Sequence, residues 1–218
     1  MFRHDDSLTF PKLRQVNLAE GRVYQVFGTE IAYPSITRVL GAKPKPQLEA
    51  WKKKVGHQKA QAEAQFAARK GTTLHKLAEL YLDNQELPPV LPHVAELWMN
   101  LRPWLGHHVT CVYAQEQDIC SHMLKVAGRL DLLADVDGEL AVVDIKNAKR
   151  IKKREWVRSY FVQGTFYSLA VFEAVGRVVK KIVLPICSPE GFQVEVAKPA
   201  EFFNELRADI DYYYSLAS

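Results

Sequence analysis

The dipeptide Asp137-Gly138 lies between two apolar runs, 125–136 and 139–146, and no other feature constrains this chain as much. Asp-Gly at such a point favours a two-residue turn with both central residues at positive φ, so the runs are predicted to pair as an antiparallel hairpin. Pairing continues outward from Val136 opposite Glu139 and sets Asp131 directly opposite Asp144. Residues opposed in this way share a face, with Cβ atoms about 4.5–5.5 Å apart. Lys146 lies two residues beyond Asp144 and joins the same face. Leu130, Leu132, Leu133, Val142, Val143 and Ile145 mark both strands as largely buried. Opposed carboxylates destabilise a sheet, so something must compensate. Lys146 supplies part of the positive charge, and a hard divalent cation such as Mg²⁺ supplies more.

Around this hairpin the patterning is mixed. Residues 1–22 show no clear period and read as an N-terminal extension. The stretch 23–33 alternates around Gly28-Thr29 and reads as a hairpin. Ser35 is a natural N-cap for a short helix that stops at Gly41. Helices are predicted over 47–56, over 58–84 with Gly71 as a possible break, and over 91–105 with Pro103 near the end. From about 107 the chain becomes a compact αβ core. It has strands at 108–119, 178–187 and 192–197, a basic loop at 147–157, an aromatic-rich helix at 158–175 and a closing helix at 199–216. Helices followed by an αβ core fit a single domain with a mixed sheet flanked by helices: a hairpin and helical cover over 23–106, then the core over 107–218.

The net charge of +4 says little, but its distribution says more. Ten Lys or Arg between Arg38 and Lys76 face only Glu49 and Glu63, and seven between Lys146 and Arg158 face only Glu155. From Pro189 onward six acids face Lys198 and Arg207. Two basic segments and an acidic tail fit either a polyanion bound on one side or ordinary solvated helix faces. The three cysteines, Cys111, Cys120 and Cys187, have neither zinc nor redox spacing and are too few for a four-cysteine iron–sulfur cluster. No apolar run reaches the roughly 18 residues of a membrane span. The N-terminus lacks the apolar segment of a secretory signal, so a cytoplasmic location, in a bacterium or a phage-infected cell, is expected.

Gly128-Arg129-Leu130-Asp131 followed by Val143-Asp144-Ile145-Lys146 resembles the signature of the PD-(D/E)XK nuclease superfamily, in its RecB-like exonuclease subset. Gly71-Thr72-Thr73-Leu74-His75 resembles the upstream histidine motif of that subset, and Gln163-Gly164-Thr165-Phe166-Tyr167 its Gln-x-x-x-Tyr motif. The segment 33–40, Tyr33 to Leu40, is similar to the Pro-Ser-Val-Thr segment of the mitochondrial genome maintenance exonucleases and related phage exonucleases. The resemblance covers about 33–167 in shared order. It implies a restriction-endonuclease-like α/β core with an N-terminal helical elaboration, and a Mg²⁺- or Mn²⁺-dependent deoxyribonuclease of DNA repair or recombination. It implies exonucleolytic action on single-stranded DNA from a free end.

By that resemblance Asp131, Asp144, the Ile145 carbonyl and His75 would ligate metal, and Lys146 would act on the attacking water or the transition-state charge. Gln163 and Tyr167, one turn apart on a face with Tyr160, would orient Lys146 or grip a phosphate. They fit an aromatic packing face equally. Ser35, Thr37, Arg38, Lys149, Arg150, Lys152, Lys153 and Arg154 would contact DNA, the loop cations having only Glu155 as a neighbouring acid. Trp51, Tyr33, Tyr160 and Phe161 could stack on bases or pack in the core. Glu116 and Glu79 read as exposed surface acids. A double-strand exonuclease, a structure-specific endonuclease and a non-catalytic nucleic-acid-binding protein remain open. A glycosidase using the two aspartates suits neither Lys146 nor the basic loop, since sugars need no cationic funnel.

Overall fold

The computed structural model describes residues 1–216. In chain order the strands are β1 Arg3–His4, β2 Leu13–Leu18, β3 Gly21–Val26 and β4 Ala32–Pro34, followed by helices α1 Ile36–Gly41, α2 Pro46–Val55, α3 His57–Leu82 and α4 Pro92–His108. Then come β5 Val109–Ser121, β6 Val126–Val136, β7 Glu139–Val143, β8 Lys146–Asn147, α5 Arg158–Val175, β9 Lys181–Ser188, β10 Gly191–Ala197 and α6 Phe203–Ser215. Short 3₁₀ turns at Arg154–Val157 and Pro199–Phe202 lead into α5 and α6.

The Asp137-Gly138 turn forms as its residues dictate, with φ of 50° and 79°. It pairs β6 with β7 from Val136↔Glu139 to Leu132↔Val143. Among the described residues the main sheet has seven strands. Its order is β1-β5-β6-β7-β9-β10, and β8 also pairs with β9. The β5–β6, β6–β7 and β9–β10 pairs are antiparallel, while β1–β5 and β7–β9 are parallel. Parallel neighbours need a crossover, and α5 provides it between β7 and β9. The result is a mixed α/β fold with a central mixed sheet flanked by helices.

Alternation along β6 and β7 feeds both faces. Leu133 and Val142 join the α1, α5 and α6 layer with Phe161, Phe166 and Leu206. Leu132, Ala134, Ala141 and Val143 join the α3 and α4 layer with Leu74, Leu77, Leu97 and Leu101. The three cysteines are free and buried. A small β2-β3-β4 sheet packs through Tyr24 and Tyr33 against Cys120 and Ala127.

Several elements depart from expectation. The extension 1–22 carries β1, β2 and the start of β3. Its period is illegible because β1 has two residues and β2 has no buried one. Gly71 does not break α3; a Cβ there would stand 3.1 Å from Asn147 Oδ1, so its bareness serves a close approach. Pro103 lies within α4, which continues to His108. Most buried residues of α3 lie in its C-terminal half, at Leu74, Leu77, Ala78 and Leu82, while its first half buries Ala60 and forms an arm beside which α2 packs. No helix among the described residues is long and apolar enough to cross a membrane.

Gly164 brings α5 onto β9, where a Cβ would stand only 2.5 Å from Ile182 Cγ2. Gly164→Ala is therefore expected to overpack the core and cost about 1–3 kcal/mol in urea unfolding. Ile182→Ala leaves a cavity that the added methyl partly fills. The double variant should thus be more stable than the two single losses predict, and simple additivity would refute the steric account.

Candidate metal centre

The site begins where β7 leaves β6. The hairpin register was expected to continue to Asp131 opposite Asp144, but pairing stops at Leu132↔Val143. The Ile145 N–H donates instead to Asp131 Oδ2 at 2.9 Å, so a side-chain oxygen takes the place of a backbone acceptor. The register to β9 does not change across the break. Val143 pairs with Val183, the Asp144 N–H donates to the Val183 carbonyl, and Lys146 pairs with Ile186. Pro185, level with Ile145 in that register, brings no N–H to the ladder. The strand thus stays on β9 and splays from β6, which opens a wedge lined by Asp131 and Asp144.

Glu116, expected on the surface, belongs to this wedge. β5 pairs with β6 through Gln115↔Leu132 and Gln117↔Leu130, which sets Glu116 level with Asp131. Its φ of 45° is uncommon for a residue other than glycine and breaks the alternation of β5. A four-residue loop at 122–125 sets this register. The loop carries no Asp-Gly signature to suggest it.

α3 brings His75 over the same point. His75 Nε2 lies 3.0 Å from the Ile145 carbonyl, which can only accept, so this nitrogen carries the proton. His75 Nδ1 faces Glu116 Oε1 at 3.4 Å and Asp131 Oδ1 at 3.6 Å. The His75, Glu116 and Asp131 ligand atoms all lie within 4.8 Å of one another, close enough to hold one metal ion. The Ile145 carbonyl, expected as a ligand, is here engaged by His75.

Asp144 is 1% exposed, and its Oδ1 accepts no hydrogen bond among the described residues. Its compensation is ionic: Lys146 Nζ stands 2.6 Å from Oδ2 and 5.1 Å from the Tyr160 ring centre. Tyr167, also buried, donates to the Arg129 carbonyl at 2.6 Å and receives the Gln163 amide at 3.2 Å. A Cβ on Gly128 would meet the Tyr167 ring at 2.9 Å, so Gly128 admits the tyrosine. Gln163 and Tyr167 thus brace the backbone just before Asp131, and it is Tyr160 that meets Lys146.

Burial and charge act strongly on these groups. Burial pushes Asp131 up to about 7, with Asp144 adding to the rise against the pull of His75 and Lys146. Burial alone would lower His75, but Asp131 and Glu116 outweigh it and push it up to about 9. Burial likewise opposes the Lys146 charge, and Asp144 and Asp131 overcome it, so its pKa rises. Burial and then Asp144 raise Tyr167 well above the usual phenol range, which keeps it a donor. The carboxylates of the group suit a hard divalent cation such as Mg²⁺ or Mn²⁺, and Asp144 Oδ1 is buried beside them with no partner among the described residues. The residues present fit the expected ion.

The remaining expected residues lie elsewhere. Ser35 is buried and caps α1 by accepting from the Arg38 N–H, while its hydroxyl meets Thr37. The Arg38 guanidinium sits over the Tyr213 ring at 5.7 Å. The basic loop is less free than expected. Lys149 pairs with Glu63, Arg154 with Glu195 at 2.7 Å, and Lys152 donates to the Tyr160 hydroxyl at 2.8 Å. Arg150 and Lys153 form no ion pair among the described residues. The acidic tail answers the basic segments internally, since Glu205 pairs with Arg158 and Asp209 with Lys43. Tyr33 bonds His122 and Phe161 stacks on Phe202, so neither is open to a base.

No family model matches the chain, and no curated protein matches it. Among solved structures, the crystal structure of SSO0001 aligns over 82% of this chain and 74% of its own, at 15% identity and a TM-score of 0.41. Scheffersomyces stipitis Rai1 aligns over 42% of this chain and 27% of its own, at 18% identity and a TM-score of 0.24. At those scores neither likeness assigns a fold family or an activity.

Removing one partner of a buried ion pair strands the other charge, at a cost of about 3–5 kcal/mol. Lys146→Met should destabilise the metal-free protein by that order in denaturant unfolding, and adding Asp144→Asn should recover most of the loss. No recovery in the double variant would mean that Lys146 contributes packing rather than charge.

Proposed function

We propose that the protein is a metal-dependent nuclease that hydrolyses DNA phosphodiester bonds, acting on single strands from a free end. One observation carries the reading: three acids, a lysine and a histidine converge in one wedge of the sheet, where Asp144 Oδ1 is buried with no partner among the described residues. Burying such a set costs several kcal/mol per ion, which the Lys146–Asp144 pair and His75 offset in part and a bound cation would offset further. The resemblance of 128–131 and 143–146 to the PD-(D/E)XK signature points to the same chemistry.

His75, Glu116 and Asp131 would hold the ion, with Asp144 beside them. A bound Mg²⁺ or Mn²⁺ supplies Lewis-acid polarisation of a phosphate oxygen and a more acidic water. Lys146 stands on Asp144 with its ammonium kept charged, suited to stabilise negative charge that grows on phosphorus oxygens. Tyr160 caps that ammonium, and Tyr167 holds the strand carrying Asp131 in place through the Arg129 carbonyl. His75 fixes the Ile145 carbonyl and with it the turn of backbone between Asp144 and Lys146.

Cleavage of end-labelled single-stranded DNA should require Mg²⁺ or Mn²⁺ and stop in excess chelator. Asp131→Ala and Asp144→Ala should abolish it, and Glu116→Gln should raise the metal concentration needed for half-maximal rate. Lys146→Ala should lower the single-turnover rate by roughly 100-fold or more while leaving DNA affinity within about threefold. Full cleavage in chelator, or none with any metal, refutes the reading.

End dependence has its own test. The arm of α3 is tied to the loop after Lys146 by Glu63–Lys149 and by Asn147 donating to the Ala67 carbonyl. In this reading the strand reaches the centre beside that tie. Linear single-stranded DNA should therefore be degraded while a closed circle of the same sequence survives; equal rates would favour an endonuclease.

A further inference from the structure

A cavity of about 680 Å³ lies between the arm of α3 and the segment 147–156, bordered by Phe66 and Lys70 on one side and Arg150, Lys152 and Trp156 on the other. That volume falls in the roughly 300–1,000 Å³ range of pockets that hold ligands. Its two large rings are poorly covered: Phe66 is 52% and Trp156 53% exposed. Neither figured among the aromatic residues that the sequence singled out. Single exposed apolar residues are ordinary, but two aromatic rings lining one groove are not.

The charge around the rings has one sign. Lys70, Lys149, Arg150 and Lys152 line the groove, and the acid among its lining residues, Glu63, is already paired with Lys149. Lys70 Nζ stands 5.1 Å from the Phe66 ring centre and Lys153 Nζ 5.7 Å from that of Trp156. Each ring therefore has an ammonium beside it. The groove also adjoins the candidate centre. Asn147 lines it, directly follows Lys146 and approaches bare Gly71 one helical turn from His75.

We propose that this groove is a stacking subsite for unpaired bases of a DNA strand, with Phe66 and Trp156 as platforms and Lys70, Arg150 and Lys152 on the flanking phosphates. The inference rests on the DNA reading above and adds where the strand lies beyond the scissile bond. Exposed rings interleaved with cations suit unpaired bases, whose faces are free, whereas in a duplex those faces are already stacked on one another. An acidic protein partner would answer the cations but leave the rings without matched flat partners.

Binding is measured by fluorescence anisotropy in chelator, where no cleavage occurs, with labelled oligo(dT), an abasic oligomer of equal length and a duplex. The protein should prefer oligo(dT) over the abasic strand. Phe66→Ala and Trp156→Ala should each weaken oligo(dT) binding by roughly 5- to 150-fold and leave abasic binding unchanged. Trp156→Phe should keep the preference. Lys70→Ala with Arg150→Ala should instead weaken both strands alike and make the salt dependence shallower. Both rings are half exposed, so the variants should keep the thermal midpoint of the parent. A double variant Phe66→Ala/Trp156→Ala with an undiminished preference for oligo(dT), or a parent protein with none, overturns the subsite. Cleavage with Mn²⁺ is scored separately: a protein that cleaves but shows no base preference loses the subsite and keeps the nuclease reading.

Discussion

The hydrogen bond from the Ile145 amide to the Asp131 carboxylate is the interaction on which the candidate centre depends. A buried amide must find an acceptor. In a continuous hairpin a backbone carbonyl of β6 would serve, and the two strands would close over each other. Here a side chain serves, so β7 can leave β6 while keeping its register on β9. The wedge that opens lets carboxylates from three successive strands face a common space, where a regular sheet would pack them against one another.

Everything around the wedge holds that opening at a fixed width. His75 reaches down from α3 to the Ile145 carbonyl, and Tyr167 reaches from α5 to the Arg129 carbonyl. The two contacts come from different helix layers and grip the two strands that diverge. Gly128 and Gly71 make both approaches possible, since a Cβ on either would press against Tyr167 or Asn147. The glycines of the two motifs therefore serve the same end as the polar residues that follow them.

Charge is distributed by the same logic of placement. The acidic tail does not stand apart as a second pole of the molecule. Glu195, Glu205 and Asp209 return to Arg154, Arg158 and Lys43 and tie the last strand and helix to the basic segments. Exposed pairs of this kind contribute little stability each, but they determine which cations stay available. Arg150 and Lys153 stay outside such pairs among the described residues. Arg150, which lines the groove beside the wedge, is one of the cations left available.

Local rules written in the chain were enough for much of this. Asp137-Gly138 specified its hairpin, Ser35 its cap, and the spacing of Asp144 and Lys146 their ion pair, because turn dihedrals, capping and strand alternation act over a few residues. Asp131 and Asp144 could be named together for the same reason. Glu116 could not, because its membership depends on the pairing of β5 with β6 and on a left-handed φ that no local pattern announces. The paired state of Lys149 and Arg154 was equally hidden, since their acids lie on α3 and β10, far along the chain. So was the groove flanked by Phe66 and Trp156, whose rings are ninety residues apart and meet one cavity only once α3 has packed beside the segment that follows Lys146. Sequence alone determined which chemistry could assemble on the hairpin. Tertiary structure decided which distant side chains complete it, because long-range packing sets those distances and no periodicity in the chain encodes them.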